Sequence, residues 1–216
     1  LSGSAIPFLY NDIDALREIL RNNSIGVIVM EVERTVPPAA GFLEEVRALA
    51  EQYSAVLVFD ECTSGFRETF GGLHLKYGVI PDIAVFGKTL GNGYAVNAVV
   101  GKGEVMIAMQ RSFVSSTFWT ERIGSVAAIA SLDAMDSEDA PQRVHEIGLQ
   151  VREGWESLGR DYGLSVHVSG LPALSTYGVV GFDPAALKTY VTAEMLGSGY
   201  LATTALYASI AHTPEI

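Results

Sequence analysis

The chain contains little cysteine and few basic residues, and each shortage excludes a class of protein. A single cysteine, Cys62, excludes an intrachain disulfide and fits a reducing compartment, so we expect a cytoplasmic protein. Only 14 Lys and Arg stand against 25 Asp and Glu, and a net charge of −11 provides no basic surface for nucleic acid or anionic membranes. No apolar run approaches the roughly 18 residues that a membrane helix needs. Because 49% of the residues are nonetheless hydrophobic, we expect a large core or interface.

The histidines lack the spacing of metal ligands. Four are present, and with one cysteine they cannot form a zinc motif: His74, His145, His167 and His212. We therefore expect no metal site.

Both ends of the sequence predict that the chain is a piece of a longer protein. The first residues lack an initiator methionine, and they lack the basic segment and apolar block of a signal peptide. At the other end, Thr213, Pro214 and Glu215 have the pattern of a helix start: a capping residue, a proline at the first helical position and an acid in the first turn.

The pattern of apolar residues predicts alternating strands and helices. Apolar periodicity predicts helices at 11–22, 41–53, 120–135 and 140–162, and apolar runs predict strands at 27–30, 55–59, 83–86 and 95–100. Alternation of this kind is typical of an α/β fold with a mostly parallel sheet, and we expect strand 27–30 to be buried on both faces. After Gly163 the pattern changes to strands near 164–168, 175–180 and 200–204 and a helix at 184–196, which indicates a smaller α+β domain.

An acid and an amine each follow a predicted buried strand. Asp60 ends the run Val56-Leu57-Val58-Phe59, and Lys88 follows Ile83-Ala84-Val85-Phe86 and Gly87. Ligands of open α/β sheets bind at the carboxyl ends of the strands, so the two side chains point to one crevice. Taken alone, Asp60 is better explained as a cap of the next turn, and Lys88 as an exposed loop residue. If Lys88 instead lies in an apolar pocket, its amine becomes a nucleophile.

A series of motifs resembles the class III, fold-type I aminotransferases that depend on pyridoxal 5′-phosphate (PLP). In order along the chain they are Asp60-Glu61-x-x-Ser64-Gly65-Phe66-Arg67, Phe70-Gly71-Gly72, Pro81-Asp82, Gly87-Lys88 and Ser116-Thr117-Phe118. The Gly-Phe-Arg spacing is most similar to the branch of glutamate-1-semialdehyde 2,1-aminomutase. The resemblance implies that residues 1–139 are part of the PLP-binding large domain, and that 140–216 are a linking helix and part of the small C-terminal domain.

The resemblance also implies a role for four residues. Lys88 would form the internal aldimine with PLP and shuttle a proton, and Asp60 would keep the pyridine nitrogen protonated. Thr117 would bind the cofactor phosphate from the neighbouring subunit of a homodimer, and Cys62 would pack beneath the ring. The family's phosphate cup and ring-stacking aromatic residue would lie upstream of this chain.

The residues leave several functions open. Aminotransferases, which act on an amino donor and an oxo acid, and aminomutases, which act on a semialdehyde, use the same cofactor chemistry. A P-loop NTPase is a remote alternative, because Gly87-Lys88-Thr89 imitates the end of a Walker A motif, although the first glycine position holds Asp82 and the order of the two Walker motifs is reversed. The 216-residue piece alone is also compatible with an inactive fragment that binds PLP weakly.

Overall fold

The computed structural model of the protein describes residues 3–213 and divides the chain into two compact units. Among the described residues, the first unit contains 3–32 and 37–134, and the second contains 33–36 and 135–213. The predicted helix start at 213–216 lies largely outside the described residues. No helix within residues 3–213 is both long and apolar enough to cross a membrane.

The first unit is built on a four-stranded sheet in the order β1-β2-β3-β4. The strands are β1 (Val27–Glu31), β2 (Val56–Asp60), β3 (Ile83–Phe86) and β4 (Ala98–Gly101). The first three are parallel, and β4 runs antiparallel to β3. The predicted strand at 95–100 begins only at Ala98, because the backbone turns at 91–94, where Tyr94 N–H bonds to the Gly91 carbonyl at 3.0 Å.

The described residues of the first unit also form α-helices. They are α1 (Ile13–Asn22), α2 (Phe42–Gln52), the short α3 (His74–Tyr77) and α4 (Gly103–Met106), and most of α5 (Arg122–Ser137). Asp12 caps α1 by accepting from Ala15 N–H at 3.0 Å. The prediction that β1 is buried on both faces is wrong for this chain: Ile28 is buried, but Val27 and Val29 are 51% and 59% exposed. The described residues cover only the other face of the strand.

The second unit is a small α+β assembly. It contains α6 (Ala140–Asp161), a two-stranded antiparallel sheet of β5 (Val166–Ser169) and β6 (Thr176–Val179), and α7 (Pro184–Gly197). The predicted strand at 200–204 is absent from the described chain, and Thr176 forms only an isolated bridge with Ala205. Asp183 caps α7 by accepting from Ala186 N–H at 2.8 Å, followed by Pro184 at the first helical position.

Candidate active site

Asp60 and Lys88 lie at the same edge of the sheet. Asp60 is the last residue of β2, and Lys88 follows β3 by two residues, so both stand at the carboxyl ends of adjacent parallel strands. Glu31, the last residue of β1, is in register with Asp60. Because β4 is antiparallel, its first residues are at this edge as well, where Ala98 pairs with Phe86. This is the edge at which ligands of open α/β sheets bind.

The charges of the acid and the amine both affect the pKa of the Cys62 thiol. Burial raises the pKa of the Cys62 thiol, and a hydrogen bond to Asp60 and the Asp60 charge raise it further. The Lys88 ammonium lowers the same pKa, and the Glu31 carboxylate raises it. The thiol is therefore near enough to all three side chains for each charge to shift its pKa.

The Asp60 carboxylate also organises its own turn. Its Oδ1 accepts from Cys62 N–H at 3.0 Å, so the simpler interpretation of Asp60 as a turn cap describes a contact that is present. In the described chain Asp60 and Lys88 form no ion pair with each other, and the Lys88 amine donates instead to the hydroxyl of Thr63 at 2.7 Å.

Tight packing surrounds the backbone at Lys88. A side chain at Gly87 would place its Cβ 2.3 Å from Asn97 Oδ1 and 3.3 Å from Cys62 Sγ, so it would force the Asn97 side chain to move. Lys88 itself has a φ of +45°, a left-handed conformation that non-glycine residues rarely adopt. The described residues form no apolar pocket around Lys88, which is exposed in this chain, as in the alternative interpretation of Lys88 as a loop residue.

Two predicted site residues have different surroundings. Cys62 is half-buried beside Gly87, as expected of a packing residue at this edge. Thr117 lies in an exposed turn before α5, and within residues 3–213 it forms no hydrogen bond with Asp60 or Lys88. The structure therefore brings Asp60, Cys62 and Lys88 together and does not join Thr117 to them.

Sequence reasoning missed a buried carboxylate beside the site. Glu61 is fully buried and accepts from Ser64 Oγ at 2.6 Å, Leu73 N–H at 2.8 Å and His74 N–H at 2.9 Å. Its Oε1 is also 2.7 Å from His74 Nδ1. Burial by itself raises the pKa of Glu61, but the hydrogen bonds from His74, Ser64 and the two amides outweigh it and hold the pKa below its ordinary value. The only signal in the sequence was an acid directly after Asp60.

Comparison with known proteins identifies the family. The family model described as aminotransferase class-III matches residues 8–207. The chain belongs to the class-III aminotransferases. This membership excludes the P-loop alternative, and it confirms the family that the motif series resembled.

Curated relatives in this family are longer than the chain. It is 37% identical over 174 residues to 3-aminobutyryl-CoA aminotransferase of Cloacimonas acidaminovorans, covering 76% of this chain and 42% of the relative. It is 34% identical over 172 residues to glutamate-1-semialdehyde 2,1-aminomutase of Methanothrix thermoacetophila, covering 76% of this chain and 40% of the relative. The chain thus spans less than half of either protein.

Solved structures show the same fold. The FumI protein of Sphingopyxis sp. MTA144, described as a PLP internal aldimine form, superposes with a TM-score of 0.91 at 22% identity, covering 97% of this chain and 53% of FumI. An omega-transaminase from Sphaerobacter thermophilus gives a TM-score of 0.81 at 24% identity, covering 97% of this chain and 54% of that one. At these identities the likeness establishes the α/β transaminase fold that the sequence predicted.

Proposed function

We propose that the protein of which this chain is part carries out PLP-dependent amino-group transfer, with Lys88 as its catalytic lysine. The observation that supports this most is the placement of Asp60 and Lys88 at the carboxyl ends of adjacent parallel strands, with both charges acting on the Cys62 thiol. Membership of the class-III aminotransferases agrees with it.

The residues present fit the cofactor. PLP has a ring nitrogen that an acid can keep protonated and, on the other side of the ring, an aldehyde that an amine can bind. Asp60 and Lys88 supply these two groups without forming an ion pair with each other. When bound, PLP supplies a ring that accepts the electron pair released at the substrate carbon.

Each site residue has a defined task in this proposal. The Lys88 amine binds the cofactor and then moves a proton at the substrate carbon, and the Asp60 carboxylate holds the proton on the ring nitrogen. Cys62 packs against the cofactor from the side of Gly87. Thr117, which is exposed in one chain, binds the phosphate in the site of a neighbouring subunit.

Replacing Lys88 tests the catalytic assignment. In full-length protein incubated with PLP, borohydride should leave a covalent cofactor adduct on the peptide that contains Lys88, and Lys88→Ala should abolish it. Lys102→Ala is the matched control, because this lysine lies beyond β4 and pairs with Asp82 instead, at 2.8 Å. An adduct that persists in Lys88→Ala at another lysine would contradict the assignment.

A second candidate is the intramolecular reaction of glutamate-1-semialdehyde 2,1-aminomutase. It is favoured by curated relatives of that name, which include a 34% identical protein. Full-length enzyme given glutamate-1-semialdehyde alone should form product without an added amino donor if it is an aminomutase. Turnover only with an amino donor, such as 3-aminobutyryl-CoA, and an oxo acid would identify an aminotransferase.

Three further assignments are part of this proposal. Residues 1–139 belong to the cofactor-binding large domain, and 140–216 form the linking helix and part of the small domain. The active protein is a homodimer whose site is shared, as the exposed position of Thr117 suggests. Its location is the cytoplasm, where the free Cys62 stays reduced. Because the chain spans less than half of the two curated relatives described above, we expect it to bind PLP weakly in isolation.

A further inference from the structure

The Lys88 amine has one hydrogen-bond partner among the described residues, the side chain of Thr63. Lys88 Nζ donates to Thr63 Oγ1 at 2.7 Å, across 25 residues of sequence. Thr63 is 7% exposed, whereas Lys88 is exposed. A long lysine side chain in solvent samples many rotamers, so this one contact selects the position of its amine.

Thr63 is itself held in place by its neighbours. Its carbonyl accepts from Arg67 Nε at 2.8 Å, and the turn that contains it is closed by the bond from Gly65 N–H to the Glu61 carbonyl at 2.8 Å. The N–H of Glu61 in turn donates to the Val85 carbonyl at 2.8 Å. The backbone of the turn that carries Thr63 is therefore fixed relative to β3, the strand that leads to Lys88.

The backbone at Lys88 is fixed as well. Its carbonyl accepts from Gly91 N–H at 3.1 Å and from Asn92 N–H at 2.9 Å, which closes the turn after β3. The left-handed conformation of Lys88, with φ +45°, then sets the direction in which the side chain leaves. With both the backbone and the amine anchored, the lysine is held in one arrangement.

We propose that Thr63 is a positioning residue for Lys88, an inference that rests on the function proposed above. The hydroxyl holds the amine whenever the amine is not bonded to the cofactor, and so sets the place from which Lys88 binds the cofactor and moves a proton. A hydroxyl suits this task because it accepts a hydrogen bond from an ammonium and can donate one to a neutral amine. Thr63 gains and loses no proton in this role.

Acylation of Lys88 in the cofactor-free full-length protein measures this contact directly. A trace of acetic anhydride, followed by mass spectrometry, gives the reaction at Lys88 relative to the exposed Lys188. Thr63→Val should raise this ratio by at least about threefold, because the amine loses the hydrogen bond that holds it at Thr63 and is free to meet the reagent. Thr63→Ala should give the same rise, whereas Thr63→Ser retains the hydroxyl and should remain near the wild-type ratio.

Thr89→Val is the matched control. Thr89 adjoins Lys88 in sequence, and its buried hydroxyl has no hydrogen-bond partner among the described residues. Its removal should leave the acylation ratio unchanged, since it forms no hydrogen bond with the Lys88 amine.

The outcomes separate the two proposals. An unchanged ratio in both Thr63→Val and Thr63→Ala would overturn the positioning role, even if borohydride traps PLP on Lys88. Absence of a PLP adduct on Lys88 in the wild-type protein would instead overturn the proposed function. A rise in Thr63→Val that Thr63→Ser reproduces would also count against the hydroxyl, because it would reflect a general disturbance of the turn.

Discussion

The pKa of the Cys62 thiol reports on the candidate site, because the acid Asp60 and the amine Lys88 shift it in opposite directions. Burial, the hydrogen bond to Asp60 and the Asp60 charge raise the pKa of the thiol, and the Lys88 charge lowers it. It is the only cysteine of this chain, and mass spectrometry of the peptide that contains it follows its labelling in the longer protein. Since the thiolate is the reactive form, its alkylation rate follows this pKa.

We predict opposite changes in Cys62 alkylation when the two charges are removed one at a time. In cofactor-free protein at pH 8, Asp60→Asn should lower the pKa of Cys62 and speed alkylation by iodoacetamide several-fold, since one pKa unit is about tenfold in thiolate. Lys88→Ala should raise the pKa and slow the reaction. Changes of the same sign in both variants would mean that the thiol does not lie between these charges.

At the scale of single elements, the segment from residue 61 to 74 depends on one buried carboxylate. Glu61 binds Ser64 near the start of this segment and the amides of Leu73 and His74 at its end. The segment carries Thr63, so the carboxylate that closes it also supports the partner of Lys88. A buried carboxylate with four hydrogen bonds is costly to disturb, because each donor would be left without its partner.

Glu61→Gln should therefore lower the free energy of unfolding by about 2–4 kcal/mol at pH 7. Guanidinium unfolding of the same full-length protein measures this loss. Glu44→Gln, on the exposed side of α2, is the control and should change stability by less than about 0.5 kcal/mol. Equal losses in the two variants would show that the Glu61 network contributes nothing specific.

Asp82 performs a similar task at the other end of β3. It lies just before the strand, and burial, which by itself raises its pKa, is outweighed by Lys102, the Leu57 N–H and Arg47, so the pKa falls to about 2. The three bonds measure 2.8, 2.9 and 2.8 Å and join the carboxylate to β2, α2 and the residue after β4, in that order. Because the folded pKa lies below the ordinary value, Asp82 stabilises the fold above pH 4.

Asp82→Asn should cost about 2 kcal/mol of unfolding free energy at pH 7, the value of a shift of this size. The difference from wild type should shrink as the pH falls below the ordinary pKa of an aspartate and vanish near pH 2. Urea unfolding at several pH values measures it. Asp14→Asn, at an exposed ion pair on α1, should show no comparable pH dependence.

At the scale of the whole molecule, the chain leaves large apolar side chains uncovered. On α5, Ile123, Val126 and Ile129 are 56%, 64% and 60% exposed and recur every three residues, so they share one side of the helix. In the preceding segment Phe113 is 96% and Trp119 61% exposed. An apolar surface of this kind is typical of a protein interface, and the proposed homodimer would cover it.

Val126→Glu should raise the dimer dissociation constant of the full-length protein at least about tenfold, because a charge cannot be buried unpaired. Sedimentation velocity over a range of concentrations measures this constant. Leu75→Glu adds the same charge at another exposed apolar position, on α3, and should leave it unchanged. A monomeric wild-type protein would contradict the homodimer itself.

The sequence alone determined the strands and helices that carry the candidate site. A short apolar run predicts a buried strand, so β2 and β3 were predictable from local pattern. The positions of Asp60 and Lys88 at the ends of these strands followed from the same pattern. The motif series likewise predicted the class-III family, because the order and spacing of its residues are specific to it. Each strand and each single motif is a short run of neighbouring residues, so both could be recognised without knowing which distant segments come into contact.

Only the tertiary structure decided which side chains meet. The contacts of Lys88 with Thr63 and of Glu61 with His74 join residues 25 and 13 positions apart, and no periodicity encodes such pairs. The exposure of one face of β1 was also not predictable from the sequence. Val27 and Val29 are apolar residues of the kind that usually point into a core, yet both are exposed. The pattern of apolar residues predicts whether a segment forms a helix or a strand. The burial of its side chains and their hydrogen-bond partners depend on which other segments pack against it.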